Sequence, residues 1–325
     1  SGICGSFDTN LALKGMPLEI QGSMTQRELQ SKLNSARIGT TVTIPRGVLV
    51  RGEARLTIPR GVTLQTEGSQ GLVGRHAYAS MARIAYAPTT TAVKRASLVV
   101  VQDGAALKNV WVDGQMWNYP KKDGGPNIRI APKTSSQARV EYVRSENPRA
   151  AQNISVNSNK GECSNAASVR SNLVVNSANL HTTDRWADGI ATACSFVTIS
   201  ENEILDASDT AIVAYRSYGA FPQASKIVKN KILQAGNNAL SGITADPLST
   251  ASTPRIFPGC LEMIPGTTPN CDFTGMVAQG NTLWSGKSVR FVIGISVGTK
   301  ARSSFKPGPA SGRGAIFADN SAGIS

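Results

Sequence analysis

Residues 197–215 read VTISENEILDASDTAIVAY: an alternating apolar run closing on a polar-x-aliphatic step, a short polar turn, then a second apolar run. Alternation marks strands of four to six residues, and no 3.6-residue period competes with it. The same order occurs on either side. LVVNSANL (173–180) precedes DGIATA (188–193), and IVKNKI (227–232) precedes ALSGI (239–243). First runs start 24 and then about 30 residues apart, within the range that signals stacked repeats. One such unit cannot bury its apolar face alone, but stacking on its neighbours builds a continuous core. Asn202 and Asn230 take the same place in two copies, and Asn281 in QGNTL repeats it. Stacked at about 4.8 Å per rung, these amides form a hydrogen-bonded ladder.

Upstream, SLVVVQDGAALKNVWVDGQ (97–115), NIRIAP (127–132), ARVEYVRSEN (138–147) and NISVNSN (153–159) continue the pattern more loosely. The hexapeptide TIPRGV occurs at 43–48 and again at 57–62, which reads as the first coils. Ahead of them Thr25-Gln26-Arg27-Glu28 is a capping box, with Leu29 and Leu33 on one helical face. A helix there covers an open first rung that otherwise invites aggregation. The expected architecture is all-β: one parallel β-helix domain over 1–325. Its expected parts are a capping helix at 20–36, rungs over 37–300 and a C-terminal cap or tail at 301–325.

Composition agrees. The 325 residues include 31 glycines and only 17% charged residues, a balance that suits many tight turns. Thirty-four Lys and Arg against 21 Asp and Glu leave a net charge of +13. Such a surplus favours polyanions, or is a basic surface without a partner. The basic residues are dispersed and no nucleic-acid-binding motif is present, so an acidic polysaccharide ranks above nucleic acid. No apolar stretch reaches the ~20 residues of a membrane span. The chain opens on SGICGSFDTN without an initiator Met, as a processed mature or trimmed form does.

Of five cysteines, Cys260 and Cys271 bracket a Pro/Gly-rich loop suited to a disulfide, and Cys163 with Cys194 is a second pairing that leaves Cys4 over. Buried free thiols are the alternative; bridges point to a secreted or periplasmic setting.

A capping helix, TVTIPRGV…GVTLQTEG and then rungs ending in DGI and DTAIV resemble the right-handed parallel β-helix proteins of the pectate-lyase-like superfamily, over about residues 20–300. The resemblance implies that fold and a carbohydrate-active enzyme: a glycosidase, a lyase or a relative of these. Locally, Ala187-Asp188-Gly189 and Ser208-Asp209-Thr210 are similar to elements of the polygalacturonase-like glycosidases. That family's Asp-Asp, Gly-His-Gly and Arg-x-Lys motifs are not in the chain.

The candidate site follows from four aspartates gathered in a basic chain. If 188–190 and 210–212 are equivalent strands, Asp188 stacks beside Thr210, and Asp209 sits one residue earlier. Paired carboxylates serve glycoside cleavage, one as acid and one as base or nucleophile. Asp184 and Asp206 lie just before them and are expected to tune the pair. His181, Arg185, Trp186, Tyr215 and Arg216 are expected to bind sugar, because HTTDRW lengthens this rung's turn. Each aspartate can instead serve a β-turn, as Asp103 and Asp113 are expected to. No metal or cofactor is expected of a glycosidase. A lyase would call on Arg216, Lys226, Lys229 or Lys231 and on Ca²⁺ held by the aspartates. A non-catalytic glycan-binding β-helix is the third reading, opposed by the loops at 117–127 and 255–273. Self-association is left open.

Overall fold

A computed structural model of the chain describes residues 22–53, 55–69, 81–87, 97–116, 118, 125–132, 137–149, 151–157, 167–177, 187–215, 223–247, 260–261, 270–298 and 311–324. Over these residues the chain coils through three sheets in turn. Sheet I has nine strands, sheet II ten and sheet III eight. One coil is Thr198–Ser200 in sheet I, Glu203–Ala207 in sheet II and Thr210–Tyr215 in sheet III. Each strand pairs in parallel with its equivalents one coil before and after, so Ile190 lies beside Ile212 and Ile212 beside Ile243. This is a right-handed parallel β-helix, with the hand that twisted strands impose on parallel crossovers.

Like stacks on like inside. One interior column of sheet III runs from Leu56 through Val99, Ile128, Ile154, Ile190, Ile212 and Ile243 to Ile295. All are fully buried except Ile295, half-buried on the last strand of the sheet. Packing of this kind drives the fold, since each buried aliphatic side chain stabilises it by about 1.5–3 kcal/mol.

The turns from sheet I to sheet II carry the polar counterpart. Asn172, Asn202, Asn230, Asn281 and Asn320 form one ladder, in which the side-chain oxygen of each after Asn172 accepts from the backbone and side-chain amides of the asparagine before it. Each follows a residue in the left-handed region: Ser171, Glu201, Lys229, Gly280 and Asp319. The steps are 30, 28, 51 and 39 residues. This corrects the expected register of the first copy. Leu173 stacks beside Glu203, not beside Val197, so Asn172 is the true partner of Asn202.

The two TIPRGV copies serve different corners. The first joins sheet I (Thr41–Ile44) to sheet II (Val48–Gly52), and the second joins sheet III (Leu56–Ile58) to sheet I (Thr63–Thr66). Gly47 and Gly61 both stand at φ +68°. The repeat is thus a local turn and not a rung equivalence.

The helix is shorter than expected, spanning Gln26–Ser35. Thr25, its extended N-cap, exchanges both capping-box bonds with Glu28, and residues 22–25 form a strand of sheet II instead. Leu29 and Leu33 are fully buried. Gln30 closes the edge of sheet III: its amide donates to the Thr57 carbonyl at 2.9 Å and accepts from the Thr57 N–H at 2.8 Å, as a neighbouring strand would. At the other end, Ile316–Ala318 and Ser321–Ile324 are the last strands of sheets I and II.

Candidate functional site

The outer face of sheet III positions the candidate residues. In its strand Ala187–Thr192, Gly189 faces the interior: a Cβ there would lie 2.5 Å from the Ala211 carbonyl oxygen and 2.9 Å from Ile204 Cγ2. Only glycine lets the coils approach this closely at the corner. Gly189 and Ile190 both face inward, so the alternation is interrupted here, and it is the bond from the outward Tyr215 that places the Asp188 carboxylate on the outer face. It is buried all the same, at 2% exposure. Its Oδ1 accepts from the Thr210 N–H and its Oδ2 from the Tyr215 hydroxyl, both at 3.2 Å.

Tyr215 is five residues beyond Thr210 on the next coil, and Ala191 and Val213 are outward residues paired in register between the two strands. Asp209 stands one coil from Asp188 and one residue out of step, its N–H donating to the Ala187 carbonyl at 3.2 Å. The two α-carbons are offset by about 4.8 Å across the sheet and 3.3 Å along it. Asp209 is half-exposed. The structure thus brings Asp188, Asp209 and Tyr215 together.

Asp206 reaches the next coil. It adopts φ +57°, and its Oδ1 accepts from the backbone amides of Ala235, Gly236 and Asn237 at 2.7, 2.9 and 3.3 Å. Burial pushes its carboxyl above the ordinary range, against those three bonds. It organises the corner of the next coil. Asp113 also bonds the backbone two residues on, accepting from the Gln115 N–H at 2.8 Å, but pairs with Arg83 as well. His181, Asp184, Arg185, Trp186 and Arg216 lie outside the described residues, as do most of both long loops.

Two residues of this face were missed in the sequence. Asp246 stands beside Tyr215 in register and is 4% exposed. The alternation of ALSGITAD, read one step further, would have found it. Arg129 stands in an outward column that runs from Thr57 and Val100 through Arg129 to Ser155, Ala191, Val213, Thr244 and Ser296. Burial, with Arg55 nearby, lowers the affinity of its guanidinium for the proton. The small side chains after it form a low floor, and Thr244 Oγ1 links Ser241 at 2.7 Å with Ser296 at 2.9 Å.

Lys226 and Lys231 sit on strands of sheets I and II, and Lys229 in the turn between them. None is on this face. No group of three or more His, Cys, Asp or Glu suited to a metal occurs among the described residues. Cys194 and Cys271 are both disulfide-bonded, and Cys260 stands opposite Cys271 in an antiparallel pair. No helix among the described residues is long and apolar enough to cross a membrane.

No family model matches the chain, and no curated protein matches it either. Solved structures do. An endo-xylogalacturonan hydrolase from Aspergillus tubingensis aligns with 13% identity and a TM-score of 0.46, over 93% of each chain. An alginate lyase from a Paenibacillus species aligns with 12% identity and a TM-score of 0.38, over 94% of this chain and 99% of that one. For a DFA-IIIase from Arthrobacter chlorophenolicus the values are 10% and 0.35, over 92% and 88%.

Proposed function

We propose that the chain is a glycan-cleaving enzyme that works outside the cytoplasm, a glycosidase whose acid–base pair is Asp209 and Asp188. The observation that supports it is the Asp188 carboxylate, buried on the outer face of sheet III and fixed through both oxygens one coil from Asp209. Both oxygens accept hydrogen bonds, as an ionised carboxylate does, so Asp188 takes the part of base or nucleophile. Half-exposed Asp209 takes the part of acid. Asp209 gives its proton to the glycosidic oxygen as the C1–O bond breaks. Asp188 either takes a proton from the water that attacks C1 or attacks C1 itself, and water then releases the sugar. Arg185, Trp186, His181 and Arg216, close in sequence to the strands that carry the pair, bind the sugar, while Asp184 tunes it. The disulfide-bonded Cys194 and Cys271 favour an oxidising compartment.

A lyase reading has one observation in its favour. Arg129 stands half-buried on the same outward face, where burial, with Arg55 nearby, loosens its hold on the proton. A panel of neutral and acidic polysaccharides separates the readings: a hydrolase releases reducing ends alone, and a lyase also produces the ultraviolet absorbance of an unsaturated uronate. Binding without turnover on every glycan would sink both and leave a binding module. Weakening of activity with rising salt is expected only of an acidic substrate, because exposed charges are screened over about 8–10 Å.

A further inference from the structure

The outer face of sheet II carries a second constellation, away from the aspartate pair. Arg83, Trp111 and Arg144 stack in one column over three successive coils. The guanidinium carbons lie 4.6 and 4.2 Å from the centroid of the indole ring. Beside them Asp113 and Glu146 occupy neighbouring positions of the next column. Arg83 pairs with Asp113, whose Oδ1 also accepts from the Asn147 side chain at 3.2 Å. Arg144 grips Glu146 Oε2 through Nε at 2.9 Å and a terminal nitrogen at 2.6 Å. Trp111, Asp113, Arg144 and Glu146 are each at most 5% exposed.

Two donors in this column are left over. The Trp111 indole N–H and the Arg83 Nε–H are both buried, and neither has a hydrogen-bond partner among the described residues. Buried donors are satisfied in the great majority of proteins, and an unpaired one carries the full cost of its desolvation. These two belong to residues adjacent in register, with the guanidinium against the ring, so one small acceptor group can serve both. Burial raises the proton affinity of Glu146, with Asp113 adding to the effect and Arg144 opposing it.

We propose that Arg83 and Trp111 form a binding site for an oxyanion, a carboxylate or sulfate group, on the outer face of sheet II. It is separate from the sheet III face and does not depend on the reaction assigned there. The group accepts from the indole N–H and from Arg83 Nε–H, and Arg144 beyond the ring adds positive charge.

Isothermal titration calorimetry with sodium sulfate, and separately with sodium galacturonate, tests this at constant ionic strength. Saturable binding of at least one is expected. Trp111→Phe keeps a ring for the guanidiniums but removes the N–H, and should weaken binding about tenfold or more. Arg83→Lys removes Nε and should do the same, and it carries the test if the tryptophan variant does not fold. Binding of sulfate alone assigns the site to inorganic anions or sulfate esters. Binding of galacturonate alone assigns it to acidic sugars. No saturable binding of either anion, or equal affinity in a folded Trp111→Phe variant, overturns the proposal.

Discussion

The Tyr215 hydroxyl reaches back across a coil to donate to Asp188 Oδ2 at 3.2 Å. This bond ties a residue at the end of one strand to a carboxylate near the start of the preceding one. If Asp188 is the base of a glycosidase, Asp188→Asn should lower kcat by about 10²–10⁴-fold with little change in melting temperature. Tyr215→Phe removes the hydroxyl that positions Asp188, so kcat should fall about tenfold while KM stays near its original value. A turn aspartate behaves oppositely. Loss of stability with turnover intact in Asp188→Asn would refute the assignment.

Much of this architecture is legible in the chain because a β-helix repeats locally. The Asn202 and Asn230 match, the capping box and the strand runs all come from short segments. Register is harder. LVVNSANL looks like VTISENEI, yet the structure pairs Leu173 with Glu203, because the ladder position is set by Asn172 and not by the apolar run. The Arg83, Trp111 and Arg144 column was not read at all. Its members stand 28 and 33 residues apart, in coils of unequal length, and only register brings them together. Asp206 illustrates a third difficulty. Nothing in LDASD tells a catalytic carboxylate from one that turns a corner, since the distinction is the left-handed φ and the three amides of the next coil.

The asparagine ladder makes a sharp prediction about stability. Asn202 is fully buried, accepts from both amides of Asn172, and donates to Asn230 and to the Val169 carbonyl. Asn202→Ala leaves the Asn172 N–H and the Val169 carbonyl without these partners inside the coil. The loss should be about 2–4 kcal/mol in urea unfolding. Asn237→Ala, at a half-buried corner, should cost much less. Equal losses would mean that the ladder contributes nothing beyond its place in the chain.

The residue before each ladder asparagine is the converse case. Lys229 holds φ +57° on an exposed turn, whereas the next coil uses Gly280 at φ +65° in the equivalent place. A side chain in the left-handed region costs about 1–2 kcal/mol, and glycine gives back part of that gain through its freer unfolded chain. Lys229→Gly should therefore stabilise the protein by about 0.5–1 kcal/mol. Lys231→Gly, two residues on within a strand, should destabilise it. Thermal unfolding of the two variants side by side decides the matter.

Asp206 gives a prediction with a pH signature. Its proton affinity is raised in the folded protein because burial penalises the charged form, although three backbone amides oppose this. Between the unfolded value, near 3.8, and the higher folded one, the folded state holds more protons than the unfolded state. The contribution of Asp206 to stability is then complete below the lower value and is lost as pH rises through the upper one. Asp206→Asn keeps an oxygen for the amides of residues 235–237 and never ionises. Its stability relative to wild type should climb as pH rises from about 3 towards neutrality and level off above the folded value. Asp206→Ala removes the acceptor at every pH and should cost about 1 kcal/mol, because Ala235 and Gly236 are exposed enough for water to replace it. Denaturant unfolding of the three proteins across this range is the measurement. An Asp206→Asn difference that stays flat, or that falls as pH rises, would show that the amides outweigh burial and hold the carboxylate charged.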